Sequence, residues 1–80
     1  MRTVYLLESL SHADKRYVGI TDDLPRRLAE HNAGKSVHTS KNAPWKCVVA
    51  VSFASPEKAN AFEKYLKSGS GSAFATRHLW

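Results

Sequence analysis

Residues 17–32 read YVGITDDLPRRLAEHN, and this stretch predicts a strand that runs directly into a helix. Its first residues are mostly aromatic or β-branched, which favours an extended strand ending near Thr21. The helix starts after Asp22-Asp23, which supplies an N-cap acid, and Pro25 suits the first turn. The following Asn32-Ala33-Gly34 supplies a helix stop. The inward stripe of this helix is predicted to be Leu24, Leu28 and His31.

A first strand precedes this stretch. Residues 3–9 (TVYLLES) are rich in strand formers, and residues 10–14 form a connector of hairpin length before the extended run at 15–21. If the two strands pair as a hairpin, Tyr5 and Tyr17 lie opposite or diagonal to each other on one face. The other face of the hairpin is predicted to carry Val4, Leu6, Val18 and Ile20.

A loop and a third strand follow the first helix. Residues 35–44 (KSVHTSKNAP) are polar, basic and unpatterned, which indicates a loop. Residues 45–53 (WKCVVAVSF) alternate along their whole length, which makes them the clearest strand in the chain. One face of this strand is predicted to carry Trp45, Cys47, Val49, Val51 and Phe53.

Two further helices complete the pattern. Ser55-Pro56-Glu57 starts the first of them, residues 68–72 (SGSGS) interrupt it, and residues 73–80 are predicted to form a last short helix. The order β-β-α-β-α-α predicts an α/β fold in which a small, three-stranded, mostly antiparallel sheet is flanked by helices. The length of the chain predicts a single domain over residues 1–80.

The charge of the chain is unevenly distributed. Its formal net charge is +5, and basic and acidic side chains balance in residues 1–34, so the whole excess lies in residues 35–80. Such a balance favours polyanionic partners, although many small proteins are basic without any specific partner. Cys47 is the only cysteine, which excludes an intramolecular disulfide and fits a reducing, cytoplasmic setting. No apolar run is long enough to span a membrane or to form a signal peptide.

A small set of polar and aromatic side chains carries the candidate chemistry. Taken alone, each has an ordinary structural explanation: a cross-strand tyrosine pair, a surface arginine, a helix-end histidine and a solvated acid paired with Lys67. Gly19 indicates either a bulge or a place where another group approaches closely. On the first helix, Arg26 and Glu30 are predicted to form an exposed pair. The candidate catalytic residues are Tyr5, Tyr17, Arg27, His31 and Glu63.

Together, these residues resemble a known family. Val4-Tyr5 followed by Tyr17-Val18-Gly19 resembles the paired motif of the GIY-YIG nuclease superfamily, with Thr3 and Val4 in place of the first glycine and isoleucine. Residues 17–32 are similar to the strand and helix at that family's core. Two further parts of the chain resemble blocks that come later in the family's sequences: Thr39 with Pro44-Trp45, and residues 59–63.

The resemblance implies a metal-dependent endonuclease site. Tyr5 and Tyr17 would be the motif tyrosines, Arg27 the catalytic arginine and His31 its neighbour one turn on. Glu63 would bind one Mg²⁺ or Mn²⁺ ion, with phosphate oxygens and waters completing the coordination. Either Tyr5 or His31 would take a proton from the attacking water, and the sequence does not decide between them.

The expected function is hydrolysis of DNA phosphodiester bonds, with low intrinsic sequence specificity. The resemblance further implies DNA repair or recombination, together with a protein partner that supplies specificity. Lys35, Lys41 and Lys46 are predicted to contact phosphates without reading bases. The alternative is an inactive nucleic-acid-binding or adaptor domain that keeps the fold.

Overall fold

The computed structural model describes all 80 residues of the chain. Three strands and three helices follow one another in the predicted order, and the predicted α/β class is confirmed. No helix has the length and apolar character needed to cross a membrane. The elements are β1 (Arg2–Ser9), β2 (Arg16–Thr21), α1 (Leu24–Asn32), β3 (Trp45–Phe53), α2 (Pro56–Leu66) and α3 (Gly69–His78), with a short 3₁₀ turn at Ser40–Asn42 before β3.

The sheet has the strand order β2-β1-β3, and both pairings are antiparallel. In the β1–β2 hairpin, Tyr5 pairs with Gly19 and Leu7 pairs with Tyr17. Since successive side chains point to opposite faces, this register puts Tyr5 and Tyr17 diagonally on one face. The predicted arrangement of the two tyrosines is confirmed.

Each face of the sheet is covered by a different part of the chain. On one face, the buried residues Tyr5, Leu7 and Trp45 pack with Leu24 and Leu28 of α1. We call this the tyrosine face. The opposite face carries a larger apolar cluster, in which α2 packs on all three strands and α3 packs on α2. That cluster is built on the buried residues Val4, Leu6, Ala59, Leu66 and Ala75.

A bulge in β3 breaks the single alternation that the sequence predicts for this strand. Leu6 pairs with Val49, but Leu7 pairs with Cys47, so Val48 is an extra residue on β3. Because one additional residue shifts the alternation of side chains along the strand, apolar side chains of β3 contribute to both faces of the sheet. Trp45 and Cys47 lie with the tyrosine face, whereas Val49 packs on the opposite face. The prediction of one apolar face for residues 45–53 is therefore wrong.

Side-chain caps set the ends of the helices. The Asp23 carboxylate accepts a hydrogen bond from the Arg26 N–H at 3.1 Å and starts α1 as predicted. Gly34, with φ of 76°, follows its end. The predicted start of α3 at residue 73 is wrong, because Ser68 caps a helix that begins at Gly69. A cap bond to the first turn and packing against α2 thus outweigh the weak helix propensity of the glycines.

Candidate active site

The two tyrosines meet above Gly19. Their ring centroids are 6.3 Å apart, and a Cβ atom at residue 19 would collide with the phenol of Tyr5 and lie 2.9 Å from the ring of Tyr17. The register of β1 and β2 runs through Gly19 without a shift. Of the two interpretations of this glycine, close approach is therefore correct and a bulge is wrong.

His31 lies in the last turn of α1 and its side chain is completely buried. Nε2 lies 2.8 Å from the Tyr5 hydroxyl, and Nδ1 lies 2.7 Å from the hydroxyl of Thr39. Burial, followed by the nearby positive charge of Arg27, lowers the pKa of His31 below its usual 6.5. The imidazole is therefore neutral at pH 7, so one of its two nitrogens carries no hydrogen and can accept a proton.

The Tyr5 hydroxyl contacts His31 and lies near the guanidinium of Arg27. Burial raises the pKa of Tyr5, and the nearby guanidinium of Arg27 opposes this effect. Of the two hydroxyls that flank the imidazole, those of Tyr5 and Thr39, the phenol is the stronger acid, so its hydrogen points at Nε2 of His31. This arrangement prepares a route by which a proton on Tyr5 moves to His31.

Arg27 connects this buried pair to the surface. Its side chain is 34% exposed, and Nη1 lies 3.0 Å from Oε1 of Glu30. Pairing with Glu30, followed by the proximity of Tyr5, raises the pKa of Arg27 above its usual value. The predicted Arg26–Glu30 pair is wrong: Arg26 faces Asp22 at 3.8 Å, because Glu30 is already engaged by the arginine that points towards Tyr5.

Thr39 and Trp45 support the site in a way that the sequence did not predict. Thr39 is completely buried, and its carbonyl accepts a hydrogen bond of 2.9 Å from Nε1 of Trp45. The side-chain amide of Asn32 bonds both backbone polar groups of Trp45. Its oxygen accepts from the Trp45 N–H at 2.6 Å, and its nitrogen donates to the Trp45 carbonyl at 3.1 Å. The only earlier signal was that Thr39 and Trp45 belong to blocks that resemble the family, since a loop has no periodicity to expose such contacts.

Glu63 lies apart from this cluster in the hydrogen-bond network. It sits on α2 between the buried residues Ala59 and Leu66, and its side chain is 18% exposed. Its carboxylate pairs with Lys67, as the structural alternative predicted. No hydrogen bond or ion pair joins Glu63 to the four clustered residues. α2 packs on the face opposite to Tyr5 and also contacts β2, the edge strand that carries Tyr17.

The donor set limits the kind of metal site that this chain can build. No three His, Cys, Asp or Glu side chains come together as a metal-binding group. A cage made entirely of protein ligands therefore does not fit. A single, partly buried carboxylate whose only ionic partner is a flexible lysine does fit Mg²⁺ or Mn²⁺, which bind through one or two carboxylates together with phosphate and water.

The three predicted phosphate-binding lysines are all exposed. Lys35 and Lys41 flank Thr39 in the connection between α1 and β3. Lys46 lies 3.9 Å from Glu8, which also faces Arg16 at 3.8 Å, so part of its charge is already neutralised. No acidic residue occurs between Glu30 and Glu57, which leaves the connection beside the cluster uniformly basic.

Comparisons with known proteins identify the family of this fold. The family model described as the GIY-YIG catalytic domain matches residues 1–77. A structure-specific endonuclease subunit SLX1 of Podospora anserina is 44% identical over 66 residues, which cover 75% of this chain and 19% of that protein. A UPF0213 protein of Streptococcus pneumoniae is 46% identical over 52 residues, which cover 64% of this chain and 52% of that protein.

A solved structure is similar over nearly the whole chain. The solution NMR structure of a UPF0213 protein from Bacillus halodurans matches with a TM-score of 0.57 and 30% sequence identity, covering 96% of this chain and 84% of that one. The chain spans about half the length of the curated UPF0213 relative and about a fifth of the SLX1 relative. The shared part is therefore the catalytic-domain fold.

Proposed function

The chain belongs to the GIY-YIG catalytic domain family, and on that premise we propose that it is a metal-dependent endonuclease that hydrolyses phosphodiester bonds in DNA. The observation that carries this proposal is the 2.8 Å contact between the Tyr5 hydroxyl and Nε2 of His31, with the guanidinium of Arg27 nearby. It joins a cation able to bind a phosphate to a buried group able to accept a proton. In this proposal, residues 1–80 act as one catalytic domain.

Each residue of the cluster has a distinct role in the proposed hydrolysis. Arg27 binds the non-bridging oxygens of the scissile phosphate with its planar fork and stabilises the charge that develops there. Tyr5 takes a proton from the attacking water while its own hydroxyl proton passes to Nε2 of His31, so no free phenolate is needed. His31 is buried and both its ring nitrogens are engaged, so it reaches that water only through Tyr5.

Tyr17 and Glu63 complete the proposed site. Tyr17 packs against Tyr5 and His31, with ring centroids 6.3 Å and 5.1 Å away, and orients both rings. Glu63 would hold one Mg²⁺ or Mn²⁺ ion, which would add positive charge against the developing charge on phosphorus. Lys67 would give up its pairing with Glu63 when the ion binds.

The substrate and setting are inferred from charge and from the relatives. DNA fits the basic connection that carries Lys35 and Lys41, followed by Lys46 on β3, and these side chains would contact phosphates rather than bases. The SLX1 relatives are named as subunits of structure-specific endonucleases. We propose a similar role in DNA repair or recombination, in the cytoplasm, with low intrinsic sequence specificity and a protein partner that supplies the rest.

A non-catalytic adaptor is the second candidate function. The observation in its favour is that Arg27 and Glu63 both have internal partners, Glu30 and Lys67. A protein that only binds nucleic acid would tolerate these pairs, whereas an enzyme must open them. Metal dependence separates the two candidates, since an adaptor would bind DNA equally well with and without Mg²⁺.

Nicking of supercoiled and branched DNA tests the proposal directly. The purified protein is incubated with Mg²⁺ or Mn²⁺ beside Arg27→Ala and the matched control Arg26→Ala, which changes a neighbouring exposed arginine outside the cluster. We expect metal-dependent nicking by the wild type and the control, and none by Arg27→Ala. Salt-sensitive DNA binding without any nicking on either substrate would instead support the adaptor.

A further inference from the structure

We propose that Thr39 is a positioning residue that holds the proton of neutral His31 on Nδ1 and so keeps Nε2 free for Tyr5. The contribution of Thr39 to catalysis rests on the proposed function. Its effect on His31 is a property of the free protein and can be measured without DNA.

The placement of Thr39 commits its hydroxyl to His31. Its Oγ1 atom lies 2.7 Å from Nδ1 of His31, and both side chains are completely buried. Thr39 occupies the N-cap position of the 3₁₀ turn at Ser40–Asn42, yet its side chain makes no cap bond. A threonine at this position usually accepts a hydrogen bond from a backbone N–H of the turn, but here its hydroxyl bonds the imidazole instead.

The direction of the hydrogen bonds follows from the available donors. The Tyr5 phenol is a stronger acid than the Thr39 hydroxyl, so the Tyr5 hydrogen is the one directed at the imidazole, at Nε2 of His31. A neutral imidazole that accepts at Nε2 carries its hydrogen on Nδ1 and donates it to Thr39. The hydrogen bonds thus run from Tyr5 through His31 to Thr39.

The same bond matters more after proton transfer. Once Nε2 takes the proton of Tyr5, both ring nitrogens carry hydrogen and the imidazole is positively charged in a buried site. Thr39 Oγ1 is then the acceptor at Nδ1, in the place where hydrolases with a catalytic triad use a carboxylate. The threonine is itself held in place by its carbonyl, which accepts from Trp45 Nε1 at 2.9 Å.

The charged and titratable groups around this pair come from every element that packs on it. β1 contributes Tyr5, β2 contributes Tyr17, α1 contributes Arg27 and Glu30, and β3 contributes Cys47, which faces Tyr5. Thr39 is uncharged, so its replacement alters the hydrogen bond to His31 without changing the charge of the site. A change in the protonation of His31 on mutation of Thr39 therefore reports on that bond.

Nitrogen-15 NMR of the imidazole of His31 tests the proposal in the full chain without DNA. The wild type is compared with Thr39→Val, which keeps the shape but removes the hydroxyl, with Thr39→Ser, which keeps it, and with Thr76→Val, which removes an exposed threonine hydroxyl on α3. We expect hydrogen on Nδ1 in the wild type, Thr39→Ser and Thr76→Val. In Thr39→Val we expect the Nε2-protonated form to gain population.

Cleavage kinetics give the second measurement. We expect kcat of Thr39→Val to fall about 10- to 100-fold, the loss typical when a hydrogen-bond partner that orients a metal-ligating histidine is removed, with KM unchanged and the pH profile of kcat displaced. Thr39→Ser, which keeps the hydroxyl, should keep the wild-type kcat and pH profile.

Three outcomes would overturn the proposal: hydrogen on Nε2 in the wild type, an unchanged tautomer in Thr39→Val, or equal loss of activity in the valine and serine variants. If Thr39→Val does not fold, the tautomer of the wild type and of Thr39→Ser still decides. If the wild type cleaves no DNA while Nδ1 carries the hydrogen, the proposed function fails and the role of Thr39 stands.

Discussion

The Tyr5 hydroxyl and Nε2 of His31 lie 2.8 Å apart, although the two residues are 26 positions apart in the chain. The contact exists because α1 packs on the tyrosine face of the sheet and turns its inward stripe towards Tyr5 on β1. Both side chains are buried, so the pair is held by the fold rather than by a mobile loop.

Tyr5→Phe should abolish cleavage while the protein remains folded. The variant keeps the ring above Gly19 but removes the hydroxyl, which leaves Nε2 of His31 without its donor. The stability cost should be about 1–3 kcal/mol, the cost of leaving one buried polar group unpaired. Nicking assays and urea unfolding measure the two effects, with the exposed Tyr65→Phe on α2 as the control. Cleavage by Tyr5→Phe at the wild-type rate would exclude Tyr5 as the group that activates water.

Stability should fall when the pH drops below about 6.5, and His31 should be responsible. Because burial and then Arg27 lower the pKa of His31 in the folded protein, the unfolded chain binds a proton before the folded one does. The stabilisation is complete above the unfolded pKa of 6.5 and is lost as the pH falls towards the lower folded value. The slope contributed by this one proton is at most about 1.4 kcal/mol per pH unit.

Urea unfolding between pH 7.5 and pH 4.5 checks this expectation, with pH values chosen to bracket the ordinary histidine range of about 6.5. His31→Asn should lose the added pH dependence, and His78→Asn, which changes an exposed histidine at the end of α3, should keep it. Identical pH profiles for the wild type and His31→Asn would contradict a buried neutral His31.

Gly19→Ala should destabilise the protein and disturb the site together. A methyl group at this position overlaps the Tyr5 phenol and presses on Tyr17, so the rings must move. Overpacking of this kind costs about 1–3 kcal/mol. Gly69→Ala is the matched control, because a Cβ atom there meets no atom within 4 Å. If both alanine variants unfold at the wild-type urea concentration, the close packing over Gly19 is incorrect.

Glu30→Gln should strengthen DNA binding by releasing Arg27. The guanidinium now pairs with Glu30 at 3.0 Å, and it must leave this carboxylate to bind a phosphate. The salt dependence of binding should steepen by up to about one unit in a plot of log K against log salt, since one further phosphate is neutralised. Fluorescence anisotropy measures the slope, and Asp22→Asn, which releases Arg26 instead, is the control. Equal slopes for Glu30→Gln and the wild type would mean that Arg27 does not contact the DNA backbone.

The sequence predicted the elements of the site better than their connections. Alternation in the hairpin correctly placed Tyr5 and Tyr17 together, and helical spacing correctly turned His31 inward. Both successes come from regular elements, in which periodicity determines which side chains share a face. Thr39 lies in an irregular connection, so its bond to His31 depends on how the loop folds back and has no local signature.

The errors have similar causes. The extra residue Val48 reverses the alternation of β3, and a bulge is set by pairing with β1 rather than by the composition of β3 itself. Glycines at 69 and 71 suggested a break, whereas the cap at Ser68 and the contact with α2 start α3 earlier. Arg26 and Arg27 compete for Glu30, and only the tertiary position of Tyr5 favours Arg27.

The measurement that most directly tests the account is the Mg²⁺ dependence of DNA nicking by the wild type, Glu63→Gln and Glu57→Gln. Both variants remove one carboxylate from α2, but Glu57 lies exposed in its first turn, whereas Glu63 is partly buried between Ala59 and Leu66. We predict nicking by the wild type and Glu57→Gln that requires Mg²⁺, and none by a folded Glu63→Gln at any Mg²⁺ concentration. Nicking by Glu63→Gln with the wild-type rate and Mg²⁺ dependence would contradict the proposed single-metal site.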